Sequence, residues 1–207
     1  MIENRETSFL ATNEEKPFNR KTRIEDFKDP LKRREAQTNW SFEETREILN
    51  LPIDDMKGMC GLDIGSGSEG VFSKEAEKHG IEVISLNPAL GTLFSSNERK
   101  KHHGDVISGL VQEMPFKDDT FDFEISYLAI PFFLQTHEQE YRDTFSEVIR
   151  TLKPGGSAYF YPILSLLQED KTFRKIISDF REQADIVLES VPGRDYRMII
   201  TKHLEKE

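Results

Sequence analysis

The chain has 207 residues, of which 36% are hydrophobic, and a formal charge of −10 at pH 7. That length buries one sizeable core and asks for no second full domain, and the acidic balance argues against a protein that grips nucleic acid or anionic lipid over a broad surface. No apolar run approaches the length of a membrane span, Met1 to Leu10 mixes acids and bases where a secretory leader needs an apolar centre, and the only cysteine, Cys60, excludes an intrachain disulfide framework or a cysteine metal site. His102-His103 is the only adjacent histidine pair and lacks further ligands at metal spacing. The expectation is a cytoplasmic chain with no membrane partner and no metal.

Residues 1–50 read as a polar arm with helices, capping a domain that spans 51–207. Met1 to Pro17 has little periodicity and reads as an extended arm. Arg20 to Arg34 sets seven basic residues against Glu25, Asp26 and Asp29; a solvated helix face or linker is the plain reading, and a lid or docking arm for an anionic substrate the sharper one. Ser41 followed by Glu44 predicts a helix N-terminus running through Ile48-Leu49, which Pro52 closes.

The most informative stretch follows. Met59 to Ile64 predicts a strand that ends in Asp63 and then a glycine turn, Gly65-Ser66-Gly67-Ser68-Glu69-Gly70, opening a helix that runs from Gly70 to His79. Gly80 stops that helix and Glu82 to Leu86 is the second strand. In such a βαβ unit the crossover is right-handed and the strands parallel, so the turn and the residues after Leu86, Asn87 first, open on one crevice. Bare glycine backbone there lets a nucleotide-type ligand lie close. A carboxylate two residues ahead of the first glycine departs from the apolar lead of dinucleotide turns; as a buried acid, Asp63 needs either loop amides or a cationic ligand group.

Further along, Leu93 to Lys101 reads as a short helix and Asp105 to Val111 as a third strand interrupted by Gly109. Glu113 to Asp122 is a Pro-bearing acidic turn leading into the strand Phe123 to Tyr127, and Ala129 to Phe133, broken by Pro131, forms the wall beyond it. His137 to Leu152 has helical spacing in Tyr141, Phe145, Val148, Ile149 and Leu152. Lys153-Pro154-Gly155-Gly156 turns this helix into the strand Ser157 to Tyr161. Lys171 to Ala184 predicts an amphipathic helix, and Asp185 to Val191 with Tyr196 to His203 an antiparallel pair.

Taken in order, Leu62-Asp63-Ile64-Gly65-Ser66-Gly67, the run Met114-Pro115-Phe116-Lys117-Asp118-Asp119-Thr120-Phe121-Asp122, and Leu152-Lys153-Pro154-Gly155-Gly156 resemble the motifs of class I S-adenosylmethionine-dependent methyltransferases, in particular the small bacterial branch with an L-P-F-x-D-x-x-F-D run. The likeness covers about Met59 to Pro162. It implies a Rossmann-like α/β fold: a doubly wound, seven-stranded, mostly parallel sheet with an antiparallel last strand. It also implies S-adenosylmethionine as cofactor. On that resemblance Asp63, Gly65, Ser66, Gly67 and Gly70 line the methionine and ribose part of the cofactor, Asn87 and Pro88 the ribose and adenine, Leu110 and Val111 the adenine, and Ser126 and Tyr127 the methionine end and the substrate. Three positions depart from the family pattern: Asn87 replaces a ribose-binding carboxylate, Leu110 an acid, and Glu69 the usual third glycine, with Gly70 one step later.

The implied reaction is an in-line displacement at a sulfonium methyl, which needs no metal and little acid–base help. No catalytic residue is assigned, although Tyr127, His137, Tyr141 and Tyr161 are each able to orient an acceptor. A small molecule is the expected acceptor. Two rivals stay open: a binding protein that kept the fold without transfer, motivated by Asn87 and Leu110, and a nicotinamide-dependent oxidoreductase, allowed by the glycines. Nucleic-acid methylation steered by Arg20 to Arg34 is disfavoured by the net charge.

Overall fold

A computed structural model describes residues 40–67, 70–88, 106–130 and 138–204. The expected arm and basic stretch before Trp40, Ser68 and Glu69, the helix expected over Leu93–Lys101, the histidine pair and the wall beyond Ile130 lie outside the described residues.

Helix α1, Phe42–Leu49, starts where its cap predicts, with the Ser41 hydroxyl accepting from Glu44 N–H at 3.1 Å. It ends on Asn50, left-handed at φ 54°, whose N–H reaches the last carbonyls two residues before Pro52. Strand β1 (Cys60–Ile64), helix α2 (Val71–Lys78) and strand β2 (Glu82–Leu86) form the predicted crossover, with β1 and β2 parallel and Asp63 opposite Ser85. Strand β3 shrinks to Val106–Ile107, because the chain from Leu110 turns back on itself to Glu113 and a Cβ on Gly109 would stand 2.9 Å from the Leu86 side chain.

Strand β4 (Phe121–Tyr127), helix α3 (Glu138–Thr151) and strand β5 (Leu152–Ile163) follow. β5 begins at Leu152, without the four-residue hinge expected over 153–156, since Leu152 already pairs with Phe121 across a bulge. After α4 (Ser165–Glu169) and α5 (Lys171–Phe180), the hairpin of β6 (Ala184–Ser190) and β7 (Tyr196–Lys202) closes the sheet. The order is β3-β2-β1-β4-β5-β7-β6, with β7 antiparallel to both its neighbours and every other pairing parallel. The fold class read from the sequence holds.

Alternation along the strands divides the core into two faces. Leu62, Ile64, Ile84 and Leu86 pack with Phe145, Val148 and Ile149 of α3 and with Phe173 and Ile176 of α5. On the other face Val83, Phe123 and Ile125 pack under Phe42, Ile48 and Leu49 of α1 and Phe72 and Ala76 of α2. Asp63, paired in register with Ile125, projects to this second face.

Candidate functional site

The C-terminal ends of β1, β2 and β4 meet at the point where strand order reverses, which is where open α/β sheets leave a crevice. The glycine turn is fastened there by its backbone. Gly65 N–H donates to Leu86 O at 2.8 Å, Gly67 N–H to Gly65 O at 2.7 Å, and the Asn87 side-chain amide to Gly67 O at 2.9 Å. Gly65 is required twice over: its φ is +82°, and a Cβ would stand 2.3 Å from that of Ala129, in the loop after β4. The close approach at this glycine is therefore made by the protein's own loop. Gly67 and Gly70 are also left-handed, at φ 70° and 58°, and α2 starts at Gly70 with no side-chain cap.

Asp63 is 6% exposed. Among the described residues no donor reaches its carboxylate: Ser85, opposite it on β2, shares its hydroxyl with Ser73 of α2 at 3.4 Å. Burial alone pushes the Asp63 carboxyl up from 3.8 to about 7. Of the two partners the sequence allows for this acid, loop amides are not supplied by the described residues.

Ser126 is fully buried and ties the site together, its hydroxyl donating to Ile64 O at 3.1 Å and accepting from Ile130 N–H at 3.0 Å. Next to it, Leu128 holds a left-handed φ of 60°, a costly conformation for a bulky residue, with its N–H on Tyr161 O at 2.7 Å. Tyr127 turns toward α1. Its ring stacks on that of Tyr161, with centroids 5.6 Å apart, meets the edge of Trp40, and donates its hydroxyl to Glu44 Oε1 at 3.3 Å. Burial and the Glu44 carboxylate push Tyr127 up to about 12, so it stays a hydrogen-bond donor at neutral pH. Arg194, from the β6–β7 turn, stands 3.8 Å from the same carboxylate.

The crevice thus brings together Asp63, Gly65, Gly67, Asn87 and Ser126. Ser66 is half-buried in the turn and Pro88 half-buried after β2. Leu110 and Val111 follow β3, on the far side of β2; Leu110 is half-buried in its turn, whereas the Val111 side chain belongs to the core with Leu86 and Met114. Trp40 and Arg194 did not stand out as site residues in the sequence and Glu44 did so only as a capping residue, because they come from the start of the capping helix and a distant hairpin turn. The one available signal was the chain of aromatic residues at strand ends, Tyr127 and Tyr161, which register places side by side.

Residues 62–160 match the family model described as a methyltransferase domain, and the strand order with its single reversed strand agrees. Residues 62–160 therefore read as a methyltransferase domain of that family. Over 98 residues this methyltransferase domain is 35% identical to the biotin biosynthesis bifunctional protein BioHC of Cellvibrio japonicus, covering 47% of this chain and 18% of that protein. Over 119 residues it is 30% identical to the demethylmenaquinone methyltransferase of Renibacterium salmoninarum, covering 56% of this chain and 47% of that one. The chain thus spans about half the length, or less, of these curated relatives. The PH0226 protein of Pyrococcus horikoshii shares the fold with a TM-score of 0.56 at 21% identity, over 77% of this chain and 88% of that one.

Within the methyltransferase domain the Met114–Asp122 run is a clasp at the opposite end of the central strands from the glycine turn. Both Asp122 oxygens are committed, Oδ2 to Cys60 N–H and Oδ1 to Lys153 Nζ, each at 2.8 Å, which locks the starts of β1, β4 and β5. Arg150 of α3 donates to Phe116 O, Met114 O and the Asp118 carboxylate, while Phe116 and Phe121 pack edge to face beneath. The motif fixes where β4 begins. Its reach to the glycine turn is through the strands alone.

Proposed function

We propose that this methyltransferase domain transfers the methyl group of S-adenosylmethionine to a small-molecule acceptor, with the cofactor's ammonium resting on Asp63. The observation that carries the reading is the unpartnered state of that buried carboxylate at the head of the glycine turn. A buried acid without a partner costs stability, and a cationic group is the complement that removes the cost. The tool for transfer is the cofactor's electrophilic sulfonium methyl, which when bound needs only a nucleophile held in line with it.

The rest of the site follows from the chain's own residues. Asn87 holds the turn open by bonding Gly67 O, and the ribose then lies along Gly65 to Gly67. Pro88, Leu110 and Val111 flank the adenine side, and Ser126 keeps the ends of β1 and β4 at fixed separation. Tyr127 stands one side-chain step beyond Ile125 on the Asp63 face. With Trp40 and Glu44 it forms the wall against which an acceptor is oriented. The charge of −10 makes a polyanionic acceptor unfavourable. No helix among the described residues is long and apolar enough to cross a membrane.

Calorimetry with S-adenosylhomocysteine tests the reading. Micromolar binding, lost by at least about a hundredfold in Asp63→Ala, is the expected result, since truncating one partner of a buried charge pair costs about 3 kcal/mol or more. Absence of binding at millimolar ligand, or thermal protection by NAD in its place, would overturn it.

A further inference from the structure

Several described donors of the turn and of the neighbouring strand and helix are already spent inside the fold. Gly65 N–H is on Leu86 O, Gly67 N–H on Gly65 O, the Asn87 amide on Gly67 O, and the Ser85 hydroxyl on Ser73 Oγ, whose own proton goes to Gly70 O at 3.0 Å. The flanking strands offer nothing in exchange. In register, β2 sets Ser85 and β4 sets the apolar Ile125 beside the carboxylate, and the nearest titratable side chain further along that face, Tyr127, is turned to Glu44. No charged group among the described residues acts on Asp63; burial alone does. A carboxylate in such surroundings holds its proton when the crevice contains no cation and gives it up when one arrives.

We propose that loading of this site is proton-coupled: as the ammonium of an aminoacyl nucleoside docks on Asp63, the carboxyl ionises and its proton passes to solvent. The inference rests on the cofactor placement proposed above and adds its linkage. One O–H bond breaks, the electron pair stays on the carboxylate, and buffer takes the proton. Loading therefore weakens as pH falls below about 7, the value to which burial raises this carboxyl. The ligand's own amine titrates with the opposite sign, taking a proton up on binding, and only toward pH 8.

The test is titration calorimetry of the full chain with S-adenosylhomocysteine, at pH 6 and pH 7, in pairs of buffers with different ionisation enthalpies. Release of about 0.9 proton per ligand at pH 6 and about half a proton at pH 7 is expected, with binding about fivefold weaker at pH 6. Asp63→Asn should abolish the buffer dependence. Where that variant does not fold or binds too weakly to titrate, the carboxyl carbon shift of Asp63 in labelled wild-type protein gives the same answer, titrating near 7 without ligand and ionised throughout with it. Binding whose heat is independent of buffer at pH 6, or a carboxyl shift unmoved by ligand, would overturn the coupling and leave the cofactor placement standing. No binding at all would overturn both.

Discussion

Glu124 offers a measurable test of how the fold treats a buried acid. It sits on β4 between Leu62 of β1 and Ala158 of β5, fully buried, with Oε1 accepting from Thr151 Oγ1 at 2.5 Å and Oε2 without a partner. Burial raises its carboxyl from 4.5 to about 8, against the smaller opposing pull of Thr151 and Arg150 and more weakly Lys202, with Glu147 adding to the rise. The folded state thus binds the proton more tightly than the unfolded one. Stability is fully present below about pH 4.5, falls across the window to pH 8, and levels above it. By pH 7 the loss is on the order of 3 kcal/mol, from about 1.4 kcal/mol for each pH unit inside the window. Glu124→Gln removes the titration while keeping the shape. Any fixed cost of its amide shifts the whole curve and leaves the slope alone. Denaturant unfolding of both proteins from pH 5 to pH 9 should therefore show the variant gaining on wild type by several kcal/mol as pH rises. A difference between the two that stays constant with pH would refute the reasoning.

Three further outcomes follow from the same geometry. Asp122→Ala strands the Cys60 N–H and frees Lys153, so unfolding free energy should drop by about 1–3 kcal/mol, with affinity for S-adenosylhomocysteine nearly unchanged. Gly65→Ala should cost about 1–2 kcal/mol in backbone conformation and about 1–3 kcal/mol in overpacking against Ala129. Adding Ala129→Gly should recover only the second part, which a double-mutant cycle measures. Asn87→Asp restores the acid common in the family but sets a carboxylate against Gly67 O, so calorimetry should find ligand binding weakened about tenfold; tighter binding would show that the turn does not depend on the amide.

What was legible in the sequence was local. Ser41 and Glu44 announce α1, and the β1-α2-β2 crossover is written in one contiguous stretch with its own start and stop signals. What was not legible depends on partners far along the chain. The strand β5 swallows the Lys153–Gly156 hinge because Leu152 finds Phe121 across a bulge. The helix α5 stops at Phe180, earlier than its periodicity suggests, because Ala184 is taken into the hairpin opposite Lys202. The site divides in the same way. The glycine turn and its acid could be read directly, whereas nothing near Asn87 reveals that its amide is spent on Gly67 O, and the Trp40–Tyr127–Tyr161 wall joins three segments that only the folded sheet brings into contact.

The two buried acids show how the sheet separates structure from function. Leu62 pairs with Glu124 and Asp63 with Ile125, so the carboxylates stand one register step apart on adjacent strands and project to opposite faces. Desolvation acts on both, and both carboxyls are raised toward or above neutrality. Their surroundings differ in what the chain supplies. Beneath α3, Glu124 receives the Thr151 hydroxyl and closes a core of Phe145, Val148 and Phe160, so its environment is complete but for one oxygen. Asp63, at the C-terminal mouth of β1, receives no donor from the described residues, although the turn beside it holds several that are bonded within the fold. A fold that needed Asp63 only for packing would do better with an apolar residue there, since the face it projects to is the apolar core of Val83, Phe123 and Ile125. On the cofactor placement proposed above, the complement of this charge-capable group comes from outside the chain, and the cost of burying it is recovered on binding as affinity for a cation.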